Sequence, residues 1–487
     1  MRRQLTVALV SLSLLGTVAC NDFLTGNKLS SNPNQPSQAS ISQLFVAVQA
    51  GQFAMQEGTV PMMICMWAQQ CGGTNGRFVE QAGRYVFGES SNIGANGGDW
   101  ALVYDAGGLV DIRQVKADAT AAGDSTWLGI AKVWEALAIG TASDMWGAIP
   151  YSEVTTSATP ALDPRFAVLD SAESLLSQAI AELTNAAGAG PGSVDLVFGG
   201  DRAKWIKAAW TLKARYYMHT AESLGAPAYT NAITAALQGI SDATGGSDLA
   251  GFHSGSGAGE RNMWAAFQAS SSFGQDIVAG KPLVDIMNAR SDPRLPAYFC
   301  LNTAGAYVGQ DFNVPVADVS AFGCNPSPLR FEDTYSMPYV SYAENELILA
   351  EAYNQTGDDV NGILHLNNAR AYANATYPPT AGPPATAALP VLAGIVGAAL
   401  LDSIMIEKYV AMFQNIETIN DYRRTCIPAL TVVTNNQGFA NVPGRLFYPL
   451  IERNVNPNIP DPSAQLAPPS YFRNQGDVHA CTLDTSP

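Results

Sequence analysis

The chain has 487 residues, of which 47% are hydrophobic and 14% charged, so it can bury a large core and is not expected to be disordered. Its formal net charge of −16 excludes the basic surface that binding to nucleic acid or to an anionic membrane surface requires. We interpret the acidity as a means of keeping the protein soluble.

The first residues have the pattern of an export signal. Arg2 and Arg3 form a short basic head, and an apolar run interrupted by serine and threonine follows over residues 5–18. A membrane-spanning helix needs about 20 apolar residues, and this run is shorter. Residues 1–19 are therefore predicted to be a signal peptide.

Cys20 stands where bacterial lipoproteins carry their lipidated cysteine. The preceding Val18 and Ala19 fit such a lipobox, whereas Thr17 replaces the usual aliphatic residue. An ordinary secretory signal with a nearby cysteine is the alternative. Lipidation of Cys20 would hold the chain at a membrane without a protein span, because each buried methylene contributes about 0.8 kcal/mol. Residues 20–40, rich in Asn, Ser, Pro and Gln, are predicted to be the lipid anchor and an extended tether.

Residues 41–487 are predicted to form one domain, mainly of α-helices. Apolar residues recur at helical spacing in residues 126–143, 167–187, 204–222, 342–356, 360–374 and 392–419, the last being one long helix or two abutting ones. Strand patterns are confined to residues 84–87 and 431–433. The periodicity leaves a tetratricopeptide-like helical repeat and an ordinary helical bundle both open.

Three long loop-rich zones separate these helices, at residues 72–98, 239–280 and 305–338. Loops of this length inside a compact chain usually carry function. Aromatic rings and amide side chains recognise ligands that have apolar faces and polar edges. We therefore predict that Trp67, Gln69, Asn262 and Trp264 line a ligand site. The alternative is that the two indoles are buried and only anchor their loops.

Six cysteines follow Cys20. An even number in an exported chain favours disulfides, and the absence of CxxC spacing and of nearby histidines disfavours a metal site. We predict two local closures and the remaining pair: Cys65–Cys71, Cys300–Cys324 and Cys426–Cys481.

Signatures of catalysis are missing from the sequence. It contains no GxSxG, HExxH or phosphate-binding loop, and His219, His253, His365 and His479 stand apart from one another. The acidic loops have no spaced Asp/Asn pattern of the kind that binds calcium. We predict a protein that is not an enzyme and holds no metal or cofactor. The paired carboxylates of a glycoside hydrolase meet only in the fold, so that alternative stays open.

Five segments, taken in chain order, resemble the sequence signatures of the SusD/RagB family. They are Asp144-Met145-Trp146-Gly147-Ala148-Ile149-Pro150-Tyr151-Ser152-Glu153; Ser291-Asp292-Pro293-Arg294-Leu295; Tyr342-Ala343-Glu344 with Leu349-Ala350-Glu351-Ala352; Ile406-Glu407-Lys408-Tyr409 with Asp421-Tyr422-Arg423-Arg424 and Pro428; and Arg445-Leu446-Phe447-Tyr448-Pro449 with Glu452 and Asn456. The resemblance spans residues 21–458. The departures are Thr17, Cys426 in place of the usual glycine, and the tail that leads to Cys481.

The resemblance implies a mainly α fold with four tetratricopeptide-like helix pairs, long irregular loops and few short strands. It also implies an outer-membrane lipoprotein exposed on the cell surface, which binds a nutrient such as an oligosaccharide. Its partner would be a SusC-like TonB-dependent transporter. The alternative function is a structural or adhesive surface lipoprotein that binds a macromolecule without transport.

The side chains of these segments are predicted to be mostly structural. Trp146 and Tyr151 should fill the seam between helices, because large aromatic side chains are mostly buried. Arg423 and Arg424 should form partly buried ion pairs beside Asp421, with Glu407 or Glu452 as further partners. Arg294 should pair locally within its Asp-Pro-Arg turn.

Overall fold

The computed structural model describes residues 39–86, 88–89, 97–105, 107–315, 317–431, 433, 442–466, 474–477 and 481. The predicted signal peptide, Cys20 and nearly all of the predicted tether lie outside these residues. Within the described part of the chain, no helix is both long enough and apolar enough to cross a membrane.

Helices make up most of the described chain. In chain order they are α1 (Ile41–Glu57), α2 (Thr59–Trp67), α3 (Gly97–Tyr104), α4 (Leu109–Ala122), α5 (Ser125–Trp146), α6 (Arg165–Thr184), α7 (Arg202–Leu224), α8 (Ala226–Ala236), α9 (Met263–Gln268), α10 (Lys281–Ala289), α11 (Leu295–Tyr298), α12 (Tyr342–Gln355), α13 (Asp359–Thr376), α14 (Gly397–Ala411), α15 (Glu417–Thr425), α16 (Leu450–Arg453) and α17 (Pro462–Leu466). A π-helix covers Arg77–Gly83, and single 3₁₀ turns cover Gly192–Val194, Ala258–Glu260 and Leu329–Phe331.

A row of helices forms the scaffold. In the order α1, α4, α5, α6, α7, α8, α12, α13 and α14, each helix packs against the next. The closest packing within this row is between helices that follow one another in the chain, namely α5 with α6, α7 with α8, and α12 with α13. This mainly helical row confirms the predicted tetratricopeptide-like scaffold, in which every unit buries its apolar face against its neighbours. Residues 237–341 are inserted between α8 and α12, and they form much of the part of the molecule that we call the loop-rich layer.

Polar caps set several helix starts. At α1 the side chain of Ser40 accepts a hydrogen bond from the backbone of Gln43 in a capping box. At α5 the side chain of Asp124 accepts a hydrogen bond from the backbone nitrogen of Trp127. At its other end, α5 stops at Gly147, whose φ of 88° is a backbone conformation that favours glycine. The family-like segment that begins at Asp144 therefore contains the end of a scaffold helix.

Within the residues that the structure describes, four short strands form two small antiparallel sheets. Strand β1 (Cys71–Gly73) pairs with β3 (Ile277–Ala279), and β2 (Leu249–Ala250) pairs with β4 (Pro338–Val340). Neither strand predicted from the sequence forms in the described residues. Tyr85, in the first predicted strand, has a φ of 60°, which is left-handed rather than extended.

The long helical pattern at residues 392–419 corresponds to two helices, which was one of its two interpretations. Helix α14 ends at Ala411 and α15 begins at Glu417. Gln414, in the turn between them, has a φ of 71°, which an α-helix cannot contain.

All three predicted disulfides are present. They join Cys65 to Cys71, Cys300 to Cys324 and Cys426 to Cys481. The first fixes the start of β1 to the end of α2. The third ties the C-terminal tail to the end of α15.

The aromatic residues of the first family-like segment are buried or half-buried as predicted. Trp146 is fully buried and donates a hydrogen bond from Nε1 to the backbone oxygen of Phe447 at 3.0 Å. Tyr151 is half-buried, and its hydroxyl donates to Glu135 at 3.1 Å. The segment thus links the end of α5 to the residues before α16.

The predicted ion pairs form, but with partners that differ from those expected. Arg424 lies 2.5 Å from Asp421, as predicted, and its second carboxylate partner is Glu351 of α12. Glu407 pairs instead with Arg294 at 2.6 Å, because its side chain on α14 points to the Asp-Pro-Arg turn. The prediction of Glu407 as a partner of the α15 arginines was wrong.

Arg294 also bonds to Asp292, its predicted local partner. Its Nε and Nη2 atoms lie 2.9 and 2.8 Å from the two carboxylate oxygens of Asp292. Both side chains are buried, so this fork stabilises the turn without contact with solvent.

Candidate ligand-binding site

The π-helix borders an open groove of about 470 Å³ on the loop-rich layer. Its lining residues are Gly73, Thr74, Asn75, Gly76, Val79, Glu80, Arg84, Gln310, Phe312, Asn313, Val314 and Pro315, which we call the π-helix groove. Asn75 and Asn313 are exposed, and Thr74, Glu80 and Arg84 are partly exposed. Isolated π-helical turns occur frequently at functional sites.

Two glycines allow the backbone to approach closely around this groove. A Cβ on Gly73 would lie 2.7 Å from the backbone carbon of Phe78, inside any normal contact distance. A Cβ on Gly83 would lie 1.9 Å from a ring carbon of Phe312. The first glycine lets the turn fold back on the π-helix, and the second lets the loop after Gln310 pack against it.

Two residues with strained backbone conformations, Gln69 and Tyr85, lie close to the groove. Gln69 and Tyr85 both have positive φ, at 54° and 60°, which is uncommon for residues other than glycine. The Gln69 side chain donates to the backbone oxygen of Thr431 at 2.7 Å and accepts from the backbone nitrogen of Thr431 at 2.9 Å. The Tyr85 hydroxyl donates to the backbone oxygen of Trp67 at 3.2 Å. Such strain persists where surrounding contacts enforce it, and it clusters at functional sites.

Arg84 joins the two walls of the groove. Its Nη1 atom donates to Glu80 at 2.8 Å, one turn earlier in the π-helix. Its Nε and Nη2 atoms donate to the backbone oxygen of Phe312 at 3.1 and 2.7 Å. The guanidinium thereby fixes the position of the opposite loop and leaves the Glu80 carboxylate at the surface.

Exposed aromatic surface lies next to the groove. The ring of Phe273 is 39% exposed and stacks on Phe267, with centroids 6.5 Å apart and planes 21° apart. The guanidinium carbon of Arg77 lies 4.9 Å from the centre of the Phe273 ring. The loop after Phe273 is held to the groove, since the Thr74 hydroxyl donates to the backbone oxygen of Gln275 at 2.7 Å. We call Arg77, Phe267 and Phe273 the aromatic cap.

Groove and aromatic cap together offer the groups that bind a sugar. The Phe273 ring provides an apolar face, and the Asn75 amide, the Thr74 hydroxyl and the Glu80 carboxylate provide hydrogen-bonding groups in the adjoining groove. Aromatic rings and a few polar groups are the usual means of fixing a ligand that is apolar on its faces and polar at its edges.

The four residues predicted to line the ligand site are buried. Trp67, Gln69, Asn262 and Trp264 are each at most 2% exposed. Trp67 and Gln69 lie together beneath the π-helix groove through their contacts with Tyr85. In this structure they support the groove, and direct contact with a ligand stays a prediction.

Asn262 and Trp264 serve a second loop. The Asn262 side chain caps α9, accepting from the backbone nitrogens of Trp264 and Ala265 at 3.0 and 3.2 Å. Trp264 packs edge-on against Phe322 and Phe331 in the core. Because α9 carries Phe267, this pair anchors the aromatic cap.

One group of side chains in the described residues has the geometry of a metal site. Asp144, His219 and Glu417 bring ligand atoms within 4.8 Å of one another. The imidazole already bonds to both carboxylates, with Nδ1 at 2.9 Å from Asp144 and Nε2 at 2.7 Å from Glu417. Burial disfavours a charged imidazole, but the two carboxylates outweigh it and raise the pKa of His219. The three side chains therefore form a buried group in which the imidazole lies between two carboxylates.

The sequence indicated the groove's location but not its residues. The loop-rich zones at residues 72–98, 239–280 and 305–338 contain the turn before the π-helix, Phe273 and Asn313. The prediction rests on two tryptophans, whereas the exposed ring beside the groove in this structure belongs to Phe273. The polar, glycine-rich turn over residues 72–76 was the available signal for a surface groove.

The chain is similar to known proteins in both sequence and fold. A family model described as SusD-like, starch-binding and associating with the outer membrane matches residues 33–449. No curated protein sequence matches. A chitin-binding SusD homologue from Flavobacterium johnsoniae superposes with a TM-score of 0.70 at 19% identity, covering 90% of this chain and 97% of its own.

Two further solved structures have the same fold. A SusD-like protein from Bacteroides thetaiotaomicron has a TM-score of 0.69 at 20% identity, with 92% of this chain and 99% of that chain covered. A SusD homologue from Bacteroides uniformis has a TM-score of 0.67 at 18% identity, with coverages of 92% and 99%. Identities this low establish a shared architecture and leave the ligand to be argued from the site.

Proposed function

This chain belongs to the SusD-like family, and from that premise we propose that it captures an oligosaccharide at the outer membrane and delivers it to a SusC-like TonB-dependent transporter. The family description, starch-binding and associating with the outer membrane, supports both the class of ligand and the location. The protein acts by binding and release, without catalysis.

The observation that carries the proposal is the aromatic cap beside the π-helix groove. A 39% exposed phenylalanine ring, held against an arginine, stands next to amide, hydroxyl and carboxylate groups. We propose that a sugar ring stacks on Phe273 while Asn75 and Asn313 bond to its hydroxyls. Trp67, Gln69, Asn262 and Trp264 would hold this surface in shape from the interior.

The anchor and the transporter complete the proposal. Residues 1–19 would be removed on export, Cys20 would carry the acyl chains, and the tether to residue 40 would join them to the domain at residues 41–487. A lipid anchor of this kind places a folded chain at a membrane without a spanning helix. The TonB-dependent barrel would then receive the ligand from a protein on the cell surface.

Affinity purification of the lipidated protein from its native outer membrane tests the partnership. We expect a large β-barrel protein with a plug domain to be recovered in a near-equal amount. A Cys20→Ser variant should be lost from the membrane fraction. Recovery of the protein alone, or with cell-wall polymer, would favour the structural or adhesive alternative.

Titration of the purified protein with malto-oligosaccharides and chito-oligosaccharides tests the site. The starch-binding description of the family motivates the first probe, and the chitin-binding homologue from Flavobacterium johnsoniae motivates the second. We expect Phe273→Ala to weaken binding of the preferred oligosaccharide by about tenfold, which corresponds to about 1.4 kcal/mol of lost stacking and burial.

A matched variant separates the groove from general surface effects. Leu237 is 55% exposed and lies beyond the end of α8, so Leu237→Ala removes exposed apolar surface without touching the groove or the aromatic cap. Its affinity should equal that of the wild type. If Phe273→Ala binds the oligosaccharide as the wild type does, the groove is not the site.

A further inference from the structure

A second cavity, of about 240 Å³, lies between the loop-rich layer and helices α12 and α13. It shares no lining residue with the π-helix groove. Exposed residues at its rim, among them Thr244, Ser336 and Thr376, open it to solvent. Five aromatic residues contribute to the walls: Tyr298, Tyr335, Tyr372, Tyr377 and Phe413.

Arg330 lies in this aromatic wall. It is 6% exposed, and its guanidinium carbon lies 4.8 Å from the ring centre of Tyr298 and 5.7 Å from that of Tyr335. Its Nη1 atom donates to the backbone oxygen of Phe413 at 2.6 Å, while its Nε atom has no hydrogen-bond partner.

No carboxylate pairs with Arg330 within the described residues. Its polar side-chain neighbours are phenols, including Tyr377, which accepts a hydrogen bond from the guanidinium. Burying a cation without a counter-charge is costly, and stacking on aromatic rings offsets only part of that cost. The other buried arginines nearby differ in this respect, since Arg294 bonds to both Asp292 and Glu407.

The surroundings carry surplus positive charge. Glu407, on the cavity wall, is shared by Arg290, Arg294 and Arg370 at 3.0, 2.6 and 3.6 Å. Asp292 also pairs with Arg290 and Arg294, at 2.8 Å each, so these three arginines share two carboxylates. Burial lowers the pKa of Arg370, and the two neighbouring arginines lower it further.

The remaining carboxyl group on the wall does not cancel this surplus at neutral pH. Asp248 accepts a hydrogen bond from the backbone nitrogen of Tyr342 at 2.8 Å, and burial raises the pKa of its carboxyl to about 7. Near that pH a good part of it is uncharged. A cavity with excess positive charge is therefore built into a chain whose net charge is −16.

We infer that this cavity is a second ligand site, which takes a small organic monoanion whose carboxylate pairs with Arg330 and whose ring packs against the surrounding tyrosines. A carboxylate matches the planar fork of a guanidinium. Arg330 has no carboxylate partner within the described residues, and its side-chain neighbours are uncharged tyrosines. A ligand with one negative charge therefore matches it better than a phosphate dianion, which has two. The aromatic walls add contact for a ring, so a sugar acid has the appropriate chemistry. The inference does not depend on the proposed capture of oligosaccharides at the groove.

Calorimetric titration of the mature protein with glucuronate and with glucose tests the inference. Glucuronate carries a carboxylate at the position where glucose carries a hydroxymethyl group, and the two are otherwise alike. We expect saturable binding of glucuronate and at least about tenfold weaker binding of glucose, as for the loss of a charge-assisted hydrogen bond. Equal affinities, or no saturation by glucuronate up to about 10 mM, would overturn the inference.

Variants locate the binding. Arg330→Met keeps much of the side-chain volume and removes the charge, and it should weaken glucuronate binding at least about tenfold. Arg202→Met, at an exposed position at the start of α7, should bind as the wild type does. The double variant Arg77→Ala/Phe273→Ala should also keep its affinity for glucuronate, because it alters only the aromatic cap. Loss of glucuronate binding in this double variant would assign the anion to the groove and overturn the inference.

A fourth variant covers the case in which Arg330→Met does not fold. Thr376 is exposed at the cavity rim, so Thr376→Trp fills the mouth and removes only the side-chain hydrogen bond between Thr376 and Tyr372. It should abolish the glucuronate signal and leave the melting temperature within about 2 °C of the wild type, as expected of a surface substitution. Unchanged glucuronate binding in this variant would exclude the cavity.

Discussion

His219 joins three helices, α5, α7 and α15, through its contacts with two carboxylates. It lies on α7 between Asp144 of α5 and Glu417 of α15, and all three side chains are buried. Arg165 reinforces the first carboxylate at 2.7 Å. Because the carboxylates raise the pKa of His219, the imidazolium is retained in the folded state above the pH at which it would lose its proton in the unfolded chain.

This raised pKa makes stability depend on pH in a defined direction. The contribution of His219 is complete below its unfolded pKa of about 6.5 and is lost as the pH rises toward the higher folded value, by up to about 1.4 kcal/mol per pH unit. His219→Gln removes the titrating group, so the variant should not show this loss of stability as the pH rises. The destabilisation caused by the variant should therefore be larger at pH 6 than at pH 9.

Urea unfolding of both proteins at several pH values measures the difference. At pH 6 the variant should lose about 3 kcal/mol, as expected when one partner of a buried ion network is removed. His365→Gln, at a partly exposed contact with Glu346, is the matched control and should show a smaller loss. A loss for His219→Gln that stays constant from pH 6 to pH 9 would contradict a charged imidazole.

At the scale of helices, close contact between α5 and α7 depends on a residue without a side chain. A Cβ on Gly140 would lie 2.2 Å from the hydroxyl oxygen of Tyr216 and 2.3 Å from the ring carbon that bears it. The Tyr216 hydroxyl donates to the backbone oxygen of Ala136 at 2.9 Å, one turn before Gly140. The glycine therefore lets a tyrosine of one scaffold helix reach the backbone of another.

Gly140→Ala should destabilise the protein, although alanine is the better helix former. The added methyl group forces Tyr216 away and breaks its hydrogen bond, so we expect a loss of about 1–3 kcal/mol. Gly382→Ala is the control, since a Cβ there meets nothing within 4 Å. Thermal unfolding distinguishes the two. An unchanged or raised melting temperature for Gly140→Ala would mean that helix propensity outweighs the contact.

Local patterns predicted the helices better than they predicted the site. The apolar spacing around Trp134 and Leu137 reports a helix directly, because the residues that share a face are three or four positions apart. The groove depends on Arg84 bonding to the backbone of Phe312, and the ion network depends on His219 meeting Glu417, 198 positions away. Neither contact leaves a local pattern. The buried positions of Trp67 and Trp264 could not be read either. Helix α2 is apolar along almost its whole length and α9 has only 6 residues, so neither shows a periodic face.

At the scale of the whole molecule, the C-terminal tail closes on the scaffold. The amide of Asn474 donates to the backbone oxygens of Ser143 and Asp144 at 3.0 Å each, at the end of α5. Cys481 then joins Cys426 at the end of α15. The pairing was predictable because six cysteines follow Cys20 and two of the closures are local. The contact between the tail and the end of α5 was not predictable from the sequence.

Two of the disulfides should therefore serve different properties of the molecule. The chain between Cys426 and Cys481 spans 55 positions, so the disulfide removes much entropy from the unfolded state, equivalent to about 4 kcal/mol. The Cys65–Cys71 closure spans 6 positions, and its contribution is about 2 kcal/mol. The short closure, however, holds β1, which leads directly into the π-helix groove.

Replacing each pair by alanines should produce opposite rankings in two measurements. Cys426→Ala/Cys481→Ala should lower the free energy of unfolding more. Its oligosaccharide affinity should stay near that of the wild type, because Asn474 and Gly476, in the described part of the tail, bond to α5 and α7. Cys65→Ala/Cys71→Ala should lose less stability and more affinity, because β1 is no longer tied to α2 and the turn over residues 72–76 gains freedom. Urea unfolding and oligosaccharide titration of the same two variants give both rankings. If both measurements rank the variants alike, groove geometry follows global stability, and the local disulfide has no separate role in binding.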